Sequence, residues 1–454
     1  ASGGLIGSTF YGDINEMEMV GSNSDLSIVV EIDKRTTNYT GWSDAKRLYI
    51  IQDSDPTVIN SPIVEDLGEI NMGAPETLVN FINYLIETST YTANHYCLIL
   101  WNHGSGWERM KKSSDQRKWI CEDWTSGFDV LTIFELRYAL EISSKPVSGK
   151  FDVIAFDACL MQMLEVIYEL HEHADVIVGS EETEPGYGYP YDTILNALKS
   201  DTGMNAFEFG EAIASNYVAA YKISDEGTQS AVKTSEVQEI VNKLDILALI
   251  LMDKYSEIYG TISQIRASVQ YYDDNDYIDL KDFCVKLNSS PALPSDLKAA
   301  AGDVVAAVEN AVIYSGNTGG LVSNSFGISI YYPKNKDNYI PAYDNTALAK
   351  DSHWDEFIKG DFSDGSDLDL VKIYPNPRRI TDDSVVVIEN LPYNSKLTIS
   401  DISGNILLEK DTGYQTTFFW RTKNSYGKNL ASGIYIINIE KKDKNKSFKV
   451  ALIK

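Results

Sequence analysis

Two turns in this chain carry residues able to perform acyl transfer. Asn102-His103-Gly104 follows the apolar run Tyr96-Cys-Leu-Ile-Leu-Trp101, and Asp157-Ala158-Cys159 follows Phe151-Asp-Val-Ile-Ala-Phe156. Such runs fit buried strands, and open α/β sheets place their ligand crevices beyond the carboxyl ends of those strands. Taken alone, His103 fits a turn that caps a strand and Cys159 a small buried hydrophobe, since unpaired cysteine is usually buried. Together, on one rim of one sheet, they supply a base that titrates near neutral pH and a thiol whose thiolate is a nucleophile. Gly104 lets the backbone approach a substrate closely, and its amide can donate to a developing oxyanion.

Asp157 stands two residues before Cys159, on the same side of an extended segment, where a carboxylate would meet a cationic side chain. The stretch Glu181-Glu182-Thr-Glu184 offers further carboxylates, each equally compatible with a solvated turn, and Pro185-Gly-Tyr-Gly188 stiffens that loop. His95, His171, His173 and His353 lack a glycine-flanked strand end, and His171-Glu-His173 is too closely spaced for two ligands on one helical face. Asp123, Asp129 and many other acids are potential oxygen ligands. None falls in a readable calcium-loop pattern, so no metal residue is assigned.

The elements that must position these turns follow from periodicity. Leu26–Ile32 joins the two runs above as a third expected parallel strand, with further strands at Val176–Gly179 and Gly327–Tyr332. Helical patterns cover Ala74–Ile86, where Pro75 fits an early helical position and Leu78, Phe81, Ile82 and Leu85 share a face, and roughly residues 206–222 and 235–260. Strand, helix, strand implies an α/β unit with a mainly parallel sheet, over residues 1–360. Residues 361–370 read as a polar linker, and 371–454 as about seven short strands with glycine turns, a small all-β sandwich without an acid–base or thiol constellation.

The charge supports this division. The 454 residues carry a net charge of −27, but residues 371–454 hold 14 basic and 8 acidic side chains against 25 and 58 before them. So acidic a chain has no face for displacing counterions from nucleic acid and favours a cationic substrate. No apolar run is long enough for a membrane span. The four cysteines are too few and too scattered for a disulfide framework, and at least one thiol is expected free.

The elements around His103 and Cys159 resemble the clostripain-like cysteine peptidases, relatives of caspases, legumains and gingipains. The resemblance extends through Asp13–Met17, Glu65–Gly73, Ser180–Gly188 and Gly327–Pro333, over about residues 10–360. It implies a caspase-like α/β/α fold, cleavage of proteins or peptides after Arg or Lys, His103 as general base, Cys159 as nucleophile, and the amides of Gly104 and Cys159 as oxyanion hole. It also implies an acidic S1 pocket, for which Asp157 ranks first and Glu181, Glu182 and Glu184 follow. No organic cofactor is required, and calcium stays open because some members need it. Similar peptidases mature by internal cleavage between the histidine and the cysteine. Glu108–Lys118, with five basic residues, is the expected processing loop, after Arg117 or Lys118, with Lys111 and Lys112 as alternatives. The family domain opens with a strand that precedes the first residues here, which keeps a second reading in view, a catalytically inactive caspase-like surface binding protein.

Ile373-Tyr-Pro-Asn-Pro377, Asp401–Asn405, Leu430-Ala-Ser-Gly-Ile-Tyr435 and the lysine-rich end resemble the C-terminal sorting domain of the type IX secretion system of Bacteroidetes. That implies passage through periplasm and outer membrane to the medium or cell surface, with the secretion machinery as partner. A carbohydrate-binding or adhesion sandwich is the alternative.

Overall fold

A computed structural model describes residues 7–34, 42–107, 120–360, 368–380, 384–392, 394–413, 415, 417–441 and 444–453. The chain divides into two compact units, residues 1–244 with 260–355, and residues 245–259 with 356–454.

In the first unit, helix α1 (Gly7–Val20) precedes strands β1 (Val29–Ile32), β2 (Ala45–Tyr49) and β3 (Ile63–Gly68). Helix α2 (Pro75–Glu87) leads to β4 (Cys97–Trp101), the hairpin β5 (Ile120–Asp123) and β6 (Asp129–Leu131), α3 (Ile133–Ile142) and β7 (Phe151–Asp157). Then come α4 (Leu164–Leu170), β8 (Ala174–Gly179), α5 (Tyr191–Ser200), α6 (Ala206–Ala220), β9 (Thr228–Lys233) and α7 (Val237–Ser268), whose residues 245–259 belong to the second unit. Strand β10 (Tyr277–Asp279), helices α8 (Leu280–Ser289) and α9 (Ser295–Ala311), β11 (Val312–Asn317) and β12 (Ser329–Tyr331) follow.

The central sheet runs β11-β9-β8-β7-β4, parallel across β8, β7 and β4 and antiparallel across the other two junctions. The middles of β7 and β8 are apolar because both faces are covered: Val153, Ile154, Ala155 and Phe156 are wholly buried, as are Val176, Ile177 and Val178. One face packs on α5 and α6 through Ile194, Phe209, Ile213 and Tyr217. The fold is therefore a mixed α/β sandwich.

The run at residues 26–32 departs from expectation. β1 belongs to a separate antiparallel sheet with β2 and β3, and β12, within the expected strand at 327–332, pairs with β10, also antiparallel. Glu31 marks the first difference: its carboxylate pairs with Arg47 Nε on β2 at 2.6 Å, a cross-strand ion pair that ties β1 to an antiparallel neighbour where the central sheet's parallel strands carry aliphatic side chains.

Behind the Cys159 turn, Gln162 fastens two sheet strands. Its Nε2 donates to Ser230 Oγ at 2.9 Å, Ser230 O at 3.2 Å and Ile177 O at 3.4 Å, within a wholly buried environment. Its backbone N–H donates to Ser180 O and its carbonyl accepts from Ser329 N–H, so the turn is tied at several points.

The second unit's strands are β13 (Lys372–Tyr374), β14 (Arg378–Arg379), β15 (Val386–Glu389), β16 (Lys396–Asp401), β17 (Ile406–Asp411), β18 (Phe418–Trp420), β19 (Gly433–Lys441) and β20 (Lys444–Ile453). They form a three-stranded sheet, β13-β15-β18, and a five-stranded sheet, β14-β20-β19-β16-β17. Both contribute to one core, Val386, Ile388 and Trp420 from the first, Leu397, Ile399, Ile437, Ile439, Val450 and Leu452 from the second, as a sandwich requires. Of the linker, residues 361–367 lie outside the described residues.

Gln162→Ala removes the donor from buried acceptors on two strands and should lower unfolding free energy by about 1–3 kcal/mol. A urea melt with an unchanged midpoint would contradict this bracing role.

Candidate active site

Strands β4 and β7 run parallel with Trp101 opposite Asp157, so the histidine and cysteine turns leave the sheet at the same level. Asn102 N–H donates to Asp157 O at 3.3 Å, one step further along. Asn102 Oδ1 then accepts from His103 N–H at 2.6 Å, and Asn102 Nδ2 donates to Glu122 O at 3.4 Å, which sets the path of the histidine turn against β5.

Gly104 shows how closely the turns meet. A Cβ on Gly104 would stand 2.2 Å from Cys159 O, 2.9 Å from Cys159 N and 3.1 Å from Ala158 Cβ. No side chain fits there, and the amide-bearing backbones named for the oxyanion hole lie against each other. His103 and Cys159 are both partly exposed, while the residues packed behind them, Ala158 and Leu160, are buried. Leu160 takes a left-handed φ of 62° and donates its N–H to Glu182 O at 3.1 Å, turning the chain sharply after the cysteine. Cys159 Sγ accepts from Glu184 N–H at 3.2 Å. None of the four cysteines is in a disulfide.

Beside these turns lies a concentration of carboxyl groups. Asp157 is buried, and its Oδ2 accepts from Tyr189 N–H at 3.1 Å and Tyr191 Oη at 2.8 Å. Gly188, at φ 62°, packs so tightly that a Cβ would come within 2.9 Å of Asp157 Oδ1. Burial pushes the Asp157 carboxyl up to about 6, against the pull of those donors. Burial and the neighbouring Asp157 push Glu184 well above the usual carboxylate range, and both Glu184 oxygens are buried without a well-formed hydrogen bond.

Helix α1 adds two acids that sequence reasoning missed. Burial, then Asp157 and Glu16, push Asp13 up to about 9. Burial, then Asp192, push Glu16 up to about 7, while its Oε2 accepts from Tyr191 N–H at 3.0 Å. Asp13 and Glu16 are three residues apart and share a helical face, a signal present in the Asp13–Met17 segment. Burial raises all four acids, with carboxyl neighbours adding to it for Asp13, Glu16 and Glu184. The result is a buried cluster of acids that hold protons readily, with Tyr189 and Tyr191 donating to Asp157.

The three candidate glutamates separate. Of them, Glu184 is the one beside Asp157. Glu181 is buried elsewhere, accepting from Tyr272 Oη at 2.7 Å and Gly327 N–H at 3.0 Å, with Asp279 raising its pKa further. Glu182 Oε1 accepts from Thr183 N–H at 2.7 Å and Asp273 N–H at 3.0 Å. Both clamp loops. Lys111, Lys112, Arg117 and Lys118 lie outside the described residues. Of the acids considered for calcium, Asp129 accepts from Asn71 Nδ2 at 2.5 Å, whereas Asp123 joins Asp33 and Glu69 in a carboxylate cluster.

This arrangement has known counterparts. The clostripain family model matches residues 9–360, so the chain belongs to the clostripain family, and a model of secretion-system C-terminal sorting domains matches residues 372–454. Clostripain of Hathewaya histolytica is 28% identical over 333 residues, 63% of this chain and 61% of the relative, so the chain spans about three fifths of that curated protein. Among solved structures, a secreted C11 cysteine protease from Bacteroides thetaiotaomicron, in complex with an irreversible peptide inhibitor, superposes with a TM-score of 0.59 at 22% identity. The match covers 78% of this chain and 97% of that one. An inactive zymogen C11 protease from Parabacteroides distasonis gives 0.57 at 23% identity, covering 77% and 94%. The fold is thus that of the C11 proteases. The sorting domain marks a protein destined for the cell surface or beyond, and among the described residues no helix is long and apolar enough to cross a membrane.

Gly104→Ala forces a methyl into the Cys159 backbone and should cost about 1–3 kcal/mol or more of stability. Gly186→Ala, where nothing lies within 4 Å of the added carbon, should stay within about 0.5 kcal/mol. Equal melting temperatures for the two variants would refute the packing described.

Proposed function

We propose that this chain is a secreted cysteine endopeptidase cleaving after Arg or Lys. The observation that carries the reading is the cluster of buried acids Asp157, Glu184, Asp13 and Glu16 beside the abutting histidine and cysteine turns. A guanidinium or ammonium that reaches this cluster displaces protons from it and pairs with the carboxylates left behind, a desolvated charge pair of the kind that dominates specificity.

In this mechanism His103 takes the Cys159 proton as Sγ attacks the carbonyl carbon after the basic residue. The amides of Gly104 and Cys159 receive the negative charge on the carbonyl oxygen. His103 then returns the proton to the leaving amine, giving a thioester, and activates the water that hydrolyses it. Each oxyanion donor of this type contributes about 2.7–4 kcal/mol to transition-state stabilisation. The basic loop 108–118 is itself a substrate of this specificity, so the chain cuts itself there, after Arg117 or Lys118, or at Lys111 or Lys112. The sorting domain engages the secretion machinery as partner. No organic cofactor takes part.

Fluorogenic peptides test the reading. Those with Arg or Lys at P1 should be hydrolysed, Cys159→Ala should abolish turnover, and Asp157→Asn should lower kcat/KM on the order of 10²- to 10³-fold. No turnover by the full-length protein would support instead a non-catalytic surface binding role.

Ionisation of Asp157 near 6 and Glu16 near 7 charges the acid cluster, so KM for a lysyl peptide should fall as pH rises from about 5 to about 8. The sign for folding is opposite. These raised folded-state pKa values contribute stability below the ordinary carboxylate range that is lost as pH climbs through 6–7, so the ligand-free chain melts lower at about pH 8 than at about pH 5. A pH-independent KM would argue against this cluster as the specificity determinant.

Mass spectrometry of the mature protein should show cleavage within 108–118 and an intact Cys159→Ala chain. An uncut chain with full activity would exclude self-processing.

A further inference from the structure

One short turn links the cysteine to the acid cluster. At its start, Glu184 N–H donates to Cys159 Sγ at 3.2 Å. At its end, a Cβ on Gly188 would stand 2.9 Å from Asp157 Oδ1, and Tyr189 N–H donates to Asp157 Oδ2 at 3.1 Å. Between these anchors Pro185-Gly186-Tyr187-Gly188 closes on itself, with Gly188 N–H donating to Pro185 O at 3.0 Å, and Tyr221 Oη donates to Gly188 O at 2.5 Å. The turn that bears Tyr187 is therefore pinned at the thiol on one side and at the Asp157 carboxyl on the other.

The tyrosines that follow belong to the core, and this one does not. Ring centroids lie 6.0 Å apart for Tyr189 and Tyr191, 5.8 Å for Tyr189 and Tyr217 and 4.8 Å for Tyr217 and Tyr221, and the first three of these residues are buried. Tyr187 is 80% exposed, and among the described residues its ring meets no other ring and its hydroxyl no hydrogen-bond partner. A lone exposed aromatic is ordinary by itself; its place between the thiol and the acids is what sets this one apart. Gly186 adds a second observation. A Cβ there would meet nothing within 4 Å, and its φ lies outside the left-handed region, so neither packing nor backbone strain requires glycine. What glycine does supply is a backbone free to swing and clearance beside the ring.

A basic residue poised for cleavage has its carbonyl carbon at Cys159 Sγ and its charged head among the acids at Asp157, so its stem runs along this turn. Such stems are apolar and bury against apolar surface, and an aromatic face attracts the cation they carry. We propose that Tyr187 closes its ring over the P1 side chain, forming the rim of a specificity site whose base is Asp157. This assignment rests on the proteolytic reading and names a further residue of the same site. It also gives arginine and lysine unequal shares of the contact. A guanidinium is planar, weakly hydrated and stacks on an aromatic face, whereas an ammonium is a strongly hydrated point charge.

The test compares kcat/KM for two fluorogenic peptides that differ only in Arg or Lys at P1, using the mature protein and its Tyr187→Ala and Tyr187→Phe variants. The ratio of the two values cancels the fraction of folded and processed enzyme, so it stays readable if a variant folds less well. Tyr187→Ala should lower kcat/KM for the arginyl peptide on the order of three- to thirtyfold and the arginine-to-lysine ratio by about threefold or more. Tyr187→Phe keeps the ring and should hold both within about twofold of the parent. Cleavage of both peptides by the parent with an unchanged ratio in Tyr187→Ala would overturn the role of Tyr187 and leave the peptidase reading standing. A ratio that falls as far in Tyr187→Phe would assign the effect to the hydroxyl and overturn the ring contact. Cleavage of neither peptide by the parent would overturn the peptidase reading and this assignment together.

Discussion

Everything in the site depends on a contact that admits no side chain. Because β4 and β7 are parallel and in register, their carboxyl ends deliver two turns to the same level, and the missing Cβ of Gly104 lets one backbone lie on the other. An ordinary residue there would collide with Cys159 O. The sheet beneath is held for a plain reason: the middles of β7 and β8 are apolar and wholly buried, and Gln162 braces β8 to β9 from behind.

The acid cluster beside this contact inverts the usual rule for buried acids. Carboxyl groups withdrawn from water normally acquire a basic partner or a full set of donors. Here Asp157 has donors, but neither Glu184 oxygen has a well-formed hydrogen bond, and Asp13 and Glu16 crowd the same place. Perturbed acids of this kind concentrate at functional sites. Under the proposed specificity, a basic side chain would supply the missing positive charge and expel the protons they hold.

Much of this was legible in the sequence because the signals are local. Aliphatic runs ending in glycine- and alanine-flanked His103 and Cys159 announce strand ends, and the short alternating segments after residue 371 announce a sandwich. The rest depends on where loops travel. Glu181, Glu182 and Glu184 are indistinguishable as letters, yet the turn after Gly179 sends two into loop clamps and one toward Asp157. Asp13 and Glu16 come from a helix about 145 residues before Asp157 in the chain, and Asp33 meets Asp123 only through the separate antiparallel sheet. That sheet was itself misread, since the run at 26–32 is apolar enough for a parallel strand until Glu31 is weighed.

The central claim is that a thiol at one strand end reacts under the direction of a neighbouring histidine and a cluster of buried acids. Covalent labelling measures it directly. A peptidyl acyloxymethyl ketone ending in lysine, incubated with the protein and mapped by tandem mass spectrometry, should form one thioether, on Cys159. The aspartyl analogue should form little or none, and His103→Ala should slow the lysyl reagent sharply. Labelling spread over Cys97, Cys121 and Cys284, or equal reaction with both reagents, would contradict the account.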